Sequence, residues 1–245
     1  MARPMETTRA PHSEARNPWW LAVRVIDEPV EVFRQLAQRP RALIPLLLIA
    51  VTFGIVGFGT PDSILRERAQ EQVRLLEQRA PDRLTEERRL EMLEGAGSVT
   101  NRALITGGGA VVSVLSLAIV ALVLLLVFNA YGSTPLKFKD EFAIAAHAFV
   151  PQLLGLVLIF VLQRFAGFTD LQLSLGFLFE EGFLHHLGVQ FTPFGAWNAF
   201  LLALGNQVRI GAKSLRGPLI IVGALWVVAN LAFAAFSAAV GGLAG

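Results

Sequence analysis

The sequence predicts an all-α fold: a polytopic transmembrane bundle of five helices with a charged helical hairpin outside the membrane. Hydrophobic residues make up 54% of the 245 residues, and charged residues only 16%. Five apolar runs are about long enough to cross a bilayer core of roughly 30 Å as helices. These predicted spans cover approximately residues 41–60, 107–131, 142–163, 191–208 and 218–240.

The second run carries the strongest membrane signal. Residues 103–136 contain no charged side chain, and residues 111–128 include fourteen Val, Leu, Ile or Phe. At roughly 0.3–0.6 kcal/mol for each such side chain, insertion of this run is favoured by about 6 kcal/mol. An uncharged run of this length is typical of a transmembrane helix and is too long for a buried helix of a water-soluble domain.

Composition removes several other classes of function. The formal net charge is only +2, and no basic patch alternates with aromatic residues, so we expect no nucleic-acid partner. The chain has no cysteine, which excludes disulfides, thiolate metal sites and a cysteine nucleophile.

The N-terminal segment precedes the first span. Residues 1–17 are polar and contain two prolines, which predicts a disordered tail. Residues 18–40 read as two short amphipathic helices, with Trp19, Trp20 and Phe33 as anchors in the lipid headgroup region. The alternative is that the segment packs on the helical bundle.

The segment 61–106 predicts a hairpin of charged helices, because it holds eight Arg and nine Asp or Glu. One helix is expected from Asp62 through Gln78 and a second over residues 84–94, separated by Pro81. The charges are those of a solvated, salt-bridged face.

The short links between spans predict the orientation. Residues 137–141 and 209–216 together carry five cations and two acids, whereas residues 164–192 carry one cation and three acids. Basic links favour the cytoplasmic side. The N-terminus is therefore expected in the cytoplasm and the C-terminus outside.

Polar residues within the predicted spans are the candidates for function. His147 lies four residues before Pro151, whose missing amide leaves the His147 carbonyl free and kinks the third span. Gln152, Asn206 and Asn230 add further polar groups. Either they line a site for a small solute, or they form hydrogen bonds between helices. The second interpretation is favoured because no Asp, Glu, Lys or Arg lies deep in any predicted span.

No catalytic or metal site is predicted. Glu181 and His185 are spaced i, i+4, which suits two metal ligands on a helix, but a third ligand and the His-Glu-x-x-His pattern are missing. A Gly-x-Ser-x-Gly elbow and a phosphate-binding glycine loop are absent from the sequence. We therefore expect no enzyme activity and no cofactor.

Several short motifs follow one another in a characteristic order. They are Asp27-Glu28-Pro29-x-Glu31-x-Phe33 with Arg39-Pro40, the charged hairpin, Phe138-x-x-x-Phe142, Pro151-Gln152-Leu153-Leu154-Gly155, and Trp197. In this order the chain resembles the bacterial branch of the Yip domain family, five-span proteins related to the Ypt/Rab-GTPase-interacting proteins. The resemblance covers roughly residues 18–240.

This resemblance implies a non-enzymatic role in membrane organisation or as a membrane adaptor. It implies membrane lipids as partners, together with a protein partner or a second copy of the chain, and location in the bacterial cytoplasmic membrane. The alternative from the residues alone is a small-solute transporter or channel that uses the kinked third span.

Overall fold

The computed structural model describes residues 17–79, 84–131, 135–166, 173–179 and 182–242, and every regular element within them is helical. The predicted all-α class is confirmed. The predicted tail, except Asn17, lies outside the described residues. The helices are α1 (Pro18–Arg24), α2 (Pro29–Gln38), α3 (Leu43–Gly59), α4 (Asp62–Arg79), α5 (Glu86–Gly95), α6 (Val99–Tyr131), α7 (Phe138–Ala148), α8 (Val150–Ala166), α9 (Phe183–Gln190), α10 (Pro193–Ile210) and α11 (Arg216–Gly242), with a 3₁₀ turn at Leu175–Leu178.

Three helical stretches are long and apolar enough to cross a membrane by themselves: α6, α7 together with α8, and α11. Two bent pairs, α3 with α4 and α9 with α10, raise the number of candidate spans to as many as five. The bend between α3 and α4 is 88°. It separates the apolar α3 from the charged α4. The upper number of spans is the one that the sequence predicts.

Two helices start earlier than the apolar runs suggest. Helix α6 begins at Val99 rather than 107, so the predicted hairpin is shorter than 61–106. The Ser98 hydroxyl accepts the Asn101 N–H at 3.2 Å and caps this helix. With 33 residues, α6 is about 50 Å long and exceeds the bilayer core.

The third span begins at Phe138 rather than 142. Residues 138–141, which the sequence assigned to a charged link, form the first turn of α7. Asn129 on α6 fixes the preceding link, because its side-chain oxygen accepts the Leu136 N–H at 2.7 Å. The Phe138 and Phe142 rings, one turn apart, stack at 5.6 Å.

Arg102, in the first turn of α6, binds the C-terminal end of α3 and the start of α4. Its guanidinium donates to the carbonyls of Gly57, Phe58 and Thr60 at 3.1, 3.1 and 2.7 Å, and it also pairs with Asp62. Those carbonyls lie at the C-terminal end of α3, where the helix has no backbone donors left. A cation there also complements the negative end of the helix dipole.

The N-terminal segment is part of the bundle core. Leu21, Val25, Val32, Phe33 and Leu36 are all buried, and they form one cluster with residues of α7, α8 and α10. Phe33 is only 1% exposed, so it is not the lipid anchor that the sequence suggested. Helix α2 carries an apolar stripe, and α7 and α10 offer an apolar surface that buries Phe33 and Leu36 of this stripe.

We expect Arg102→Met to lower the free energy of unfolding by about 2–3 kcal/mol, because charge-assisted bonds to three carbonyls and a carboxylate are lost together. Thermal unfolding in detergent measures the effect. Arg88→Met, at an exposed position of α5, is the control and should change little. Equal stability of the two variants contradicts a capping role for Arg102.

Candidate functional site

The five residues of the predicted polar site, four of them polar and one a proline, lie in different environments. His147 lines a cavity of about 290 Å³ with Leu21, Arg41 and Pro45, next to the start of α3. Gln152 lines a larger cavity of about 460 Å³ between α6, α8, α10 and α11, whose walls are mostly apolar. His147 and Gln152 therefore line separate cavities.

His147 is 1% exposed, and its Nδ1 lies 2.9 Å from the carbonyl oxygen of Ala143 in the same helix. The third span is interrupted directly after it: α7 ends at Ala148, and α8 resumes at Val150 with the buried Pro151 in its first turn. The Phe149 N–H donates to the Ala145 carbonyl at 3.1 Å, which is an ordinary helical bond. Pro151 has no amide to bond the His147 carbonyl four residues before it.

Asn206 and Asn230 also differ from each other. Asn206 is fully buried and donates its Nδ2 to the carbonyl of Leu202 at 3.0 Å, whereas its Oδ1 has no partner. Asn230 lies on α11, and its Nδ2 is buried without a hydrogen-bond partner. Asn206 lies beside a group of charged side chains on α7 and α10.

Those charged groups are Asp140, Glu141 and Arg209, which together with Asn206 we name the α7–α10 cluster. Arg209 Nη2 bonds Asp140 Oδ2 at 2.8 Å, and the same oxygen accepts the Lys137 N–H at 3.2 Å. The Asp140 side chain is 4% exposed, and Glu141 is completely buried. Asp140 and Glu141 thus belong to the third span, where the sequence placed them in a link, and they lie in its first turn rather than deep within it.

The positions of these charges follow from the helix ends. Asp140 and Glu141 occupy the first turn of α7, and Arg209 the last turn of α10. Acids at an N-terminus and a base at a C-terminus each complement the helix dipole. Sequence reasoning missed the cluster because it took the charges on either side of an apolar run as link residues. The acidic pair just after Phe138 was the available signal.

Neither carboxyl oxygen of Glu141 has a hydrogen bond of ordinary length and angle. The Asn206 amide nevertheless acts on this carboxyl group as a hydrogen-bond donor, and Asp140 and Arg209 act on it through their charges. The neighbouring position is closely packed: a Cβ added at Gly205, next to Asn206, would lie 2.5 Å from Ile144 and 3.1 Å from Phe33 of α2. The cluster is therefore sealed where α2, α7 and α10 meet.

The other candidates can be placed in part. Within the described ranges, no group of three or more His, Asp or Glu has the geometry of a metal site. Glu180 and Glu181 lie outside those ranges, and His185 Nδ1 is 3.2 Å from the Gly176 carbonyl. Of the predicted anchors, Trp19 is 50% exposed, and Trp20 is half-buried beneath the Arg24 guanidinium.

A family model described as the Yip1 domain matches residues 23–236, which is most of the chain. Neither a curated protein nor a solved structure matches the chain.

We expect Arg209→Met to lower the free energy of unfolding by about 3–5 kcal/mol, because it leaves the buried Asp140 carboxylate without its partner. The double variant Asp140→Asn/Arg209→Met should recover much of that loss, as a double-mutant cycle in detergent would measure. The control is Arg34→Met, which breaks the exposed pair with Glu31 and should cost at most about 1 kcal/mol. Equal effects of Arg209→Met and Arg34→Met contradict a structural role for the buried pair.

Proposed function

Because the chain belongs to the Yip1 domain family, we propose that it is a non-enzymatic integral membrane protein that organises membranes or serves as an adaptor for a protein partner. The proposal rests on the packing of helices α1 and α2 against the spans. We name these two helices the platform. One face of the platform is buried against the spans, and the opposite face presents Trp19 and Val23, which are 50% and 59% exposed.

The platform has the properties of a fixed binding surface. Val32, Phe33 and Leu36 are at most 2% exposed and hold α2 against α7 and α10. Arg24 pairs with Asp27 and Glu28, which ties the end of α1 to the start of α2. Tryptophan is favoured in the headgroup region, so an exposed Trp beside the spans suits lipid contact or a membrane-bound partner.

We propose the cytoplasmic side of a bacterial cytoplasmic membrane for the platform, and the opposite side for the hairpin and the C-terminus. Helix α2 contacts α7, which is the first half of the third span, and α10 at and beyond its middle. These contacts support a common side for the platform and the two basic links. Lys137, Lys139, Lys213 and Arg216 are at or next to those links, and basic residues favour the cytoplasm.

Single cysteines test this orientation, because the native chain has none. Ser98 and Ser214 are both exposed, and each caps the following helix, so Ser98→Cys and Ser214→Cys are a matched pair. In intact cells an impermeant thiol reagent should label position 98 and leave position 214 unlabelled until the membrane is opened. The reverse pattern contradicts the orientation.

Trp19→Ser/Val23→Ser tests the platform surface. Both side chains are exposed, so the free energy of unfolding of the variant should lie within about 0.5 kcal/mol of the wild-type value. We expect it to lose the protein or lipid that co-purifies stoichiometrically with the wild type from native membranes.

Phe33→Ala is the contrasting variant, because it empties a core position and should cost about 3–5 kcal/mol. Retention of the same partner or lipid by the folded Trp19→Ser/Val23→Ser protein would remove the platform from the proposed function. A small solute bound stoichiometrically to both proteins would favour transport instead.

A further inference from the structure

The cavity of about 290 Å³ that His147 lines is bounded by three elements. Pro18 and Leu21 of α1 form one wall, the first turn of α3 forms another, and His147 of α7 completes it. Helix α3 is apolar and begins at Leu43. Its first turn therefore lies where the first span enters the hydrocarbon core. The cavity is at the level of the lipid headgroups.

Two features of this cavity favour an anion. Among the described residues that line it, Arg41 is the one charged side chain, and no described carboxylate pairs with it. The second feature is the first turn of α3, where the N-cap Ala42 offers no side-chain acceptor. The N–H groups of Leu43 and Ile44 therefore have no partner within the helix. Free N–H groups at the positive end of a helix dipole suit a phosphate group.

His147 supplies an independent indication of a ligand. The residue is only 1% exposed, and it lines the cavity. Its Nδ1 lies 2.9 Å from the Ala143 carbonyl oxygen, which can only accept, so Nδ1 carries the proton. In the neutral ring Nε2 then accepts a hydrogen bond, and the described residues contain no donor for it. A hydroxyl group on the same ligand would supply that donor.

We propose that this cavity binds the headgroup of an anionic phospholipid that carries a free hydroxyl, as phosphatidylglycerol does. The phosphate contacts Arg41 and the first-turn N–H groups of α3, and the headgroup hydroxyl donates to Nε2 of His147.

The surface of α3 favours a lipid over a soluble phosphate ester. Leu43, Leu47 and Val51 are 66%, 42% and 55% exposed, at intervals of four residues, so they form an apolar stripe that begins at the cavity. Acyl chains attached to the bound headgroup lie along this stripe. A soluble ester presents the same polar groups but gains nothing from the apolar surface.

Native mass spectrometry of the full-length protein in neutral detergent, titrated with phosphatidylglycerol, tests the phosphate contacts. Arg41→Gln should weaken binding by about 10–100-fold, because a charge-assisted hydrogen bond is lost. Arg39→Gln is the matched control: it removes the same charge at an exposed position that is not part of the lining, and it should bind like the wild type. Equal binding by the two variants overturns the proposal.

Phosphatidylethanol tests the hydroxyl group, because it has the charge of phosphatidylglycerol but no headgroup donor. The wild type should bind phosphatidylglycerol about 3–10-fold more tightly, as one hydrogen bond allows, and His147→Leu should lose this preference. If His147→Leu does not fold, the wild type alone decides, since equal binding of the two lipids overturns the proposal. Displacement of phosphatidylglycerol by an equal concentration of glycerol phosphate assigns the site to a soluble ester and overturns the lipid.

Trp19→Ser/Val23→Ser separates this site from the proposed function of the platform. Neither changed residue lines the cavity, so this variant should bind phosphatidylglycerol like the wild type even if it loses a partner from the exposed face. Loss of phosphatidylglycerol from this variant, but not from Arg41→Gln, places the lipid on the exposed face and overturns the cavity site.

Discussion

The ion pair between Asp140 and Arg209 is the interaction around which this bundle is built. It joins the first turn of α7 to the last turn of α10 across 69 residues of sequence. The hydrocarbon core of a bilayer offers no partners for charged or polar groups. Two helices that bring charges into the packed interior must therefore meet at the point where those charges satisfy each other. The pair fixes which ends of α7 and α10 are neighbours.

The N-terminal platform follows from that arrangement. Once α7 and α10 are paired, their surfaces around Ile144 and Leu204 form an apolar floor, and α2 covers it with Phe33 and Leu36. Gly205 allows this approach, because any larger side chain at that position would collide with Ile144 and Phe33. The short helices before the first span thus cover a polar cluster with one face, and Trp19 and Val23 are exposed on the opposite face.

Much of the fold could be predicted from the sequence, because a long uncharged apolar run indicates a helix that crosses the bilayer. The two charged helices of the hairpin, α4 and α5, followed from local composition, whereas the predicted break at Pro81 lies outside the described residues. The starts of α6 and α7 did not follow, since hydropathy ends a run at the first charge, whereas a helix begins where its N-cap lies. For this reason the sequence placed Asp140 and Glu141 in a link, whereas in the structure they belong to the first turn of α7. Their partner Arg209 is far away in sequence, and no local pattern shows the pairing.

The polar residues show a second limit of prediction from sequence, which again concerns contacts between distant segments. His147, Gln152 and Asn206 could be identified from residue type alone, because polar side chains are rare in spans. Their surroundings depend on the rotation of each helix about its axis, which the nearly uniform apolar faces of α6 and α11 do not specify. Among them, Asn206 meets the buried carboxyl group of Glu141. Within the described residues, the buried acidic side chains therefore lie beneath α2, whereas His147 and Gln152 lie beside the proline break of the third span.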